Sequence, residues 1–177
     1  MGTRLRSLDT RAIDWIYENL RSRKLDPVMR FLSFSGNVGI IWLAVAITLY
    51  VTKISREATF CILGALFSSV FIANIVLKRA MKRERPFLIR DDRQTIIAPP
   101  DDFSFPSGHT YSSFAAATAI LMYAPRLGII ALVYAAGIAF SRLYLYVHYL
   151  SDVLFGILFG VGTGILVCYI YNLHFAI

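Results

Sequence analysis

Residues Tyr149–Leu173 read YLSDVLFGILFGVGTGILVCYIYNL, a run in which Asp152 is the single charged side chain. At about 1.5 Å of rise per residue, a helix of this length crosses the ~30 Å hydrocarbon core of a bilayer. Lipid offers no hydrogen bonds to the backbone, so a helix, which pairs its own amides and carbonyls, is the form such a segment takes. Working toward the amino terminus, Phe31–Thr52, Ala58–Leu77 and Leu127–Tyr146 approach or exceed the same length. Ser107–Ala124 is shorter and opens on polar residues, but its Ala- and Ile-rich body reads as a further span. The expected fold class is all-α: a polytopic membrane helical bundle of about five transmembrane helices.

The composition agrees. The 177 residues suit one domain, and 57% hydrophobic against 16% charged is too apolar for a soluble domain of this size. The formal charge of +7 sits at the ends of apolar segments, without a motif for base recognition, so anionic lipid headgroups are the expected partner and nucleic acid is not. Cys61 and Cys168 lie inside apolar runs without metal-ligand spacing and read as small buried side chains. No cleavable signal is apparent, and Arg6 stands where myristoylation requires Ser or Thr. Residues 1–8 look like a frayed basic terminus. From Asp9 to about Ser22, Ile13, Ile16, Tyr17 and Leu20 share one helical face, and Arg11, Asp14, Glu18 and Arg21 the other. Residues 1–30 therefore form an N-terminal amphipathic interfacial segment. Its apolar face meets either the headgroup layer, with Trp15 and Tyr17 as anchors, or the rest of the protein.

A polar turn at Lys53–Glu57 joins the first two spans, and the second runs into a charged helical extension, Lys78 to Arg85, ended by Pro86. The one long connection, Phe87–Phe105, carries Asp91-Asp92 and Asp101-Asp102. With five spans, the amino terminus, this loop and the Arg142–His148 turn share one side of the membrane. Gly156, Gly160 and Gly164 make a small-residue ladder that serves either dimerisation or close packing inside the bundle, hence a monomer or weak homodimer.

Three patterns at the ends of these spans carry chemistry. Lys78 and Arg85 are seven residues apart, about two helical turns, which would put both on one face. Pro106-Ser107-Gly108-His109 sits at a helix start, where backbone amides and the helix dipole favour an anion; Gly108 permits close approach and Ser107 adds a donor. Ser141-Arg142 precedes His148, which is four residues before Asp152, so the pair can touch. A carboxylate that accepts one imidazole N–H leaves the other nitrogen as a nucleophile, and Arg142 can clamp an oxygen with two donors. Lys82 and Arg83 read as headgroup anchors.

Taken together, these eleven specified positions, between 78 and 152, resemble the signature of the type 2 phosphatidic acid phosphatase superfamily. The resemblance implies metal-independent cleavage of a phosphate or pyrophosphate on a membrane lipid, with no metal and no cofactor. By the same likeness His148 attacks phosphorus, Asp152 orients it, and His109 protonates the leaving oxygen and then activates water. Lys78, Arg85, Ser107, Gly108 and Arg142 would hold the phosphoryl oxygens. Undecaprenyl pyrophosphate, phosphatidylglycerol phosphate, phosphatidic acid and lipid A phosphates are the substrates of bacterial relatives. A lipid-to-lipid phosphotransferase would use the same intermediate, and a non-catalytic lipid-binding protein would not need both histidines and Asp152.

The implied location is a bacterial plasma membrane with the site on the extracytoplasmic side. Charge counting points the other way: 15 of 18 Lys and Arg fall on the side of the site, where the positive-inside rule would place the cytoplasm. Eight of the 15 belong to residues 78–93 or Arg142, where substrate binding also asks for cations.

Overall fold

The computed structural model describes residues 3–90 and 92–175, apart from the side chains of residues 3–6 and 74, and among these residues there is no strand. Asp91 lies outside the described residues. The helices are α1 (Thr3–Asn19), α2 (Asp26–Ser35), α3 (Ile40–Val51), α4 (Arg56–Val70), α5 (Lys78–Met81), α6 (Pro86–Ile89), α7 (Gly108–Tyr123), α8 (Pro125–Tyr144) and α9 (Leu150–Phe175).

At the centre stands α7. Tyr111, Ala115, Ala116, Ala117 and Ala119 are essentially inaccessible, because α7 packs against α4, α8 and α9. The glycine ladder lines the α7–α9 contact. A Cβ on Gly160 would lie 2.6 Å from the Tyr111 carbonyl oxygen, and one on Gly164 would lie 2.7 Å from that of Ala115. The ladder therefore serves packing inside the bundle. Around the outside, Phe67, Val133, Leu158 and Tyr169 are each more than 60% exposed. Such a belt would be a liability in water and is the natural surface of an integral membrane protein.

The five expected spans are realised unevenly. Three described helices are long and apolar enough to cross a membrane, and a fourth if α2 and α3 are taken as one span bent by 55°. The bend falls at Gly36-Asn37-Val38-Gly39, where Val38 and Gly39 take φ of 52° and 70°. Glycine accepts that left-handed backbone without penalty, whereas a β-branched valine is strained by it. Only 16 residues long, α7 would rise about 24 Å, and its neighbours shield it.

Two local expectations change. The helix at the amino terminus already begins at Thr3, so residues 3–8 are not frayed. Its apolar face docks on the protein, with Ile13 and Ile16 buried among Leu143, Tyr144, Tyr146 and Val147. Its polar face meets the long connection: Arg90 pairs with Asp14 at 3.2 Å, and Arg93 with Glu18 at 2.5 Å. Trp15 alone of the two expected anchors faces outward. The Lys78–Arg85 extension is not one helix either. After the π-helical stretch Phe71–Leu77, α5 stops at Lys82, whose φ is 43°, and Pro86 opens α6 instead of ending a helix.

Candidate active site

Lys78 and Arg85 converge across a helix break at Lys82, so a shared helix face plays no part. Both grip the Asp102 carboxylate, and Arg85 Nε also donates to the Asp102 carbonyl oxygen at 2.7 Å. Burial works to raise the Asp102 pKa, but the hydrogen bonds and charges of Lys78 and Arg85 outweigh it and hold the group at about 2. Arg85 further donates to the Val147 carbonyl at 2.8 Å, which ties α6 to the turn before α9.

His148 sits in that turn, two residues ahead of α9 rather than on the helix, and is 1% exposed. Arg85 Nη1 lies 3.2 Å from its Nε2. A guanidinium can only donate, so Nε2 accepts and the imidazole proton belongs on Nδ1. Nδ1 faces Asp152 Oδ2 at 3.6 Å, too long for a hydrogen bond, and has no other partner among the described residues. Burial first, then the charges of Arg85, Arg142 and Lys78, push the His148 pKa well below its usual 6.5, so the imidazole is neutral at pH 7.

Asp152 is fully enclosed. Its Oδ2 accepts from Ser104 Oγ at 2.5 Å and from the Tyr149 amide at 2.9 Å, the latter closing the first turn of α9 like a capping box. Arg142 donates through Nη1 to Ser33 on α2, and its buried Nε lacks a partner among the described residues. His109 Nε2 donates to Asn37 Oδ1 at 2.7 Å, and a Cβ on Gly36 would press to 2.9 Å from the same ring.

These groups border one cavity of about 550 Å³. Lys78, Arg85, Gly108, His109, Arg142 and His148 line it, together with Ser33, Asn37 and Asp102. Two expected members stand behind the wall. Asp152 backs His148, and Ser107 is buried with its hydroxyl accepting from Thr110 at 2.9 Å and its amide donating to the Asp152 carbonyl at 3.1 Å. The cavity offers four cations, the exposed Arg30 among them, and a neutral imidazole in one place, an arrangement suited to holding an oxyanion and attacking its central atom.

Sequence reasoning passed over several neighbours. Asp102 reads only as part of the long connection and Arg83 as a headgroup anchor, although each stands within a few residues of a motif. Asn37 carried a usable signal, since an amide in mid-span is costly unless it has a purpose.

Fold and site together make a helical membrane bundle around a cation-lined cavity. Residues 58–176 match the PAP2 superfamily. An undecaprenyl-diphosphatase of Sulfolobus acidocaldarius is 30% identical over 77% of this chain and 66% of its own length. A decaprenylphosphoryl-5-phosphoribose phosphatase of Mycobacterium tuberculosis is 32% identical over 78% of this chain and 76% of its own. Among solved structures, a transmembrane PAP2-type phosphatidylglycerolphosphate phosphatase of Bacillus subtilis superposes with a TM-score of 0.78 at 24% identity, covering 98% of this chain and 89% of that one. The chain belongs to the PAP2 superfamily. This kinship supports a phosphatase hydrolase embedded in a membrane.

Proposed function

We propose that the protein hydrolyses a phosphate or diphosphate carried by a membrane lipid, through a phosphohistidine on His148. The observation that carries this reading is His148 Nε2 facing Arg85 at the wall of a cavity that Lys78 and Arg142 also line. In the first step the Nε2 lone pair bonds to phosphorus while the P–O bond to the lipid breaks. Its electron pair leaves on oxygen, and His109 supplies the proton. In the second, water adds to phosphorus as the P–N bond breaks, His109 takes the water's proton, and inorganic phosphate departs. Lys78, Arg85, Arg142 and the Gly108 and His109 amides at the start of α7 balance the oxyanion charge, and the Asp152 carboxylate faces the proton-bearing side of His148. Lipid diphosphates, phosphatidylglycerol phosphate, phosphatidic acid and lipid A phosphates are the candidate substrates.

Purified protein in detergent with EDTA is expected to release phosphate from at least one of these lipids. A brief reaction with that lipid labelled in its phosphate should leave protein-bound label that is acid-labile and base-stable. Failure on the whole panel, or label stable to acid, would refute the reading.

Substrate must displace Asp102 from Lys78 and Arg85. Asp102→Asn is accordingly expected to tighten binding of inorganic phosphate about tenfold, roughly 1.4 kcal/mol, as read by calorimetry. Weaker binding would show that the carboxylate helps the substrate and does not compete with it.

The family resemblance favours the extracytoplasmic face of a bacterial plasma membrane for the site. Gln94 is exposed in the long connection, and the native Cys61 and Cys168 are buried. An impermeant maleimide should therefore label Gln94→Cys in intact cells; labelling only after lysis would reverse the orientation.

A further inference from the structure

Three cations of residues 78–85 are not specified by the motif, and one behaves unlike the others. Arg79 and Lys82 are exposed, whereas the Arg83 side chain is only 12% exposed. Its Nη1 donates to Asp152 Oδ1 at 2.6 Å and to Ser151 Oγ at 2.7 Å. Its Nη2 donates to Asp9 Oδ2 at 2.7 Å, and the guanidinium lies 3.9 Å over the Tyr149 ring. Asp9, on α1, is 2% exposed and also accepts from the Ser151 amide at 2.8 Å and the Ser151 hydroxyl at 2.6 Å. One planar cation thus joins two buried carboxylates, and one of the two stands behind His148.

We infer that Arg83 and Asp9 are positioning residues for the His148–Asp152 pair, holding its carboxylate charged and aimed from behind while touching no substrate. The inference rests on the reading of His148 as the nucleophile. Asp152 has two oxygens with separate duties: Oδ2 faces the imidazole, and Oδ1 is taken by Arg83. Anchoring Oδ1 fixes the carboxylate plane, and with it the direction in which Oδ2 can receive the Nδ1 proton as positive charge develops on the ring. A buried carboxylate without a counter-charge is costly, and here a single guanidinium serves two. Only a planar fork can bridge both at once, so lysine is an imperfect substitute. Asp9 fixes the far end of the fork. It also accepts the second amide of α9, which locks the start of the helix that carries Asp152. From the other side of the nucleophile turn, Asp14 on the same α1 accepts from Tyr146 Oη at 2.6 Å, where Tyr146 takes a φ of 60°. Residues 9 and 14 both lie outside the 58–176 family match. The amino-terminal helix is on this view a brace for the nucleophile turn.

Because Arg83 does not border the cavity, its loss should act on turnover and not on substrate binding. The test is steady-state kinetics on the full chain in detergent, with dioctanoyl phosphatidic acid or whichever lipid of the panel turns over fastest. Arg83→Gln is expected to lower kcat about 100-fold with KM within about twofold, the scale of losing a partner behind a reacting group. Arg83→Lys should recover part of that loss, and Asp9→Asn should cost about tenfold in kcat. In an Asp152→Asn background, Arg83→Gln should add nothing further, because it acts through Asp152. An unchanged kcat in Arg83→Gln, a loss confined to KM, or effects that multiply in the double variant would overturn the inference. Should Arg83→Gln fail to fold, Asp9→Asn decides alone, and a wild-type kcat there overturns it. Should the wild type turn over nothing, or His148→Ala match the wild type, the proposed function fails and takes this inference with it. A silent His148→Ala beside a fully active Arg83→Gln sinks the inference only.

Discussion

Replacing His148 with alanine is expected to cut phosphate release by at least about 10⁴-fold, with the folded state intact. The loss is large because a covalent route needs its nucleophile, and no other cavity residue is placed to stand in. His109 is the second imidazole, but its Nε2 is engaged by Asn37, and the proposed mechanism gives it proton transfer instead. Folding should survive because Arg85, which loses its contact with Nε2, keeps the Val147 carbonyl and Asp102. The measurements are phosphate release with EDTA present and the thermal midpoint in detergent. Residual turnover above about 1% of wild type would remove histidine from the covalent role. A collapse of the midpoint would mean that the ring also holds the α8–α9 turn together.

The second large effect is structural. Gly160→Val should cost about 3 kcal/mol or more and leave little monodisperse protein. Even the first carbon of a side chain at position 160 would meet the Tyr111 carbonyl at 2.6 Å, Phe114 Cβ at 2.8 Å and the Ala115 amide at 3.1 Å. Two of those contacts are backbone, which cannot rotate aside, so α7 and α9 would have to part. Parting them opens the contact that buries Ala115, and it strains the 2.8 Å bond between Tyr111 Oη and Thr163 Oγ1. It also disturbs the helix start at Gly108, on which the site depends. Gly162→Ala is the matched control. Nothing lies within 4 Å of a Cβ there, and alanine's helix preference should make the change neutral or stabilising by up to about 1 kcal/mol. Equal destabilisation by both changes would show that the ladder does not pack as described. Loss of a dimer in Gly160→Val without loss of fold would return the ladder to an intermolecular role.

Much of this was legible in the chain because its signals are local. A long apolar run reports a helix in lipid from hydropathy alone, as Tyr149–Leu173 does. Likewise the Pro-Ser-Gly-His tetrapeptide reports a helix start, since the backbone requirement lies within four residues. The gathering of three motifs at one end of the bundle also followed, because crossing a membrane in alternating directions leaves few choices of side. What failed were inferences that carried helical periodicity through a charged segment. Lys78 and Arg85 meet on Asp102 across a helix break, where Lys82 adopts a left-handed backbone that spacing cannot reveal. Nor could hydropathy show that the first span would bend at Asn37, or that Asn37 would then find His109.

Order along the chain and side-chain chemistry alone determined an all-helical membrane bundle and the motif cations and histidines that line its cavity. Tertiary structure alone decided which buried charges share a partner. Arg83 meets Asp9 across 74 positions and Asp152 across 69, and Asp102 folds back onto both motif cations. The reason is physical. Hydrophobicity and helix geometry act over neighbouring residues and leave a periodic trace, whereas the pairing of ions in a low-dielectric interior depends on which elements happen to pack together.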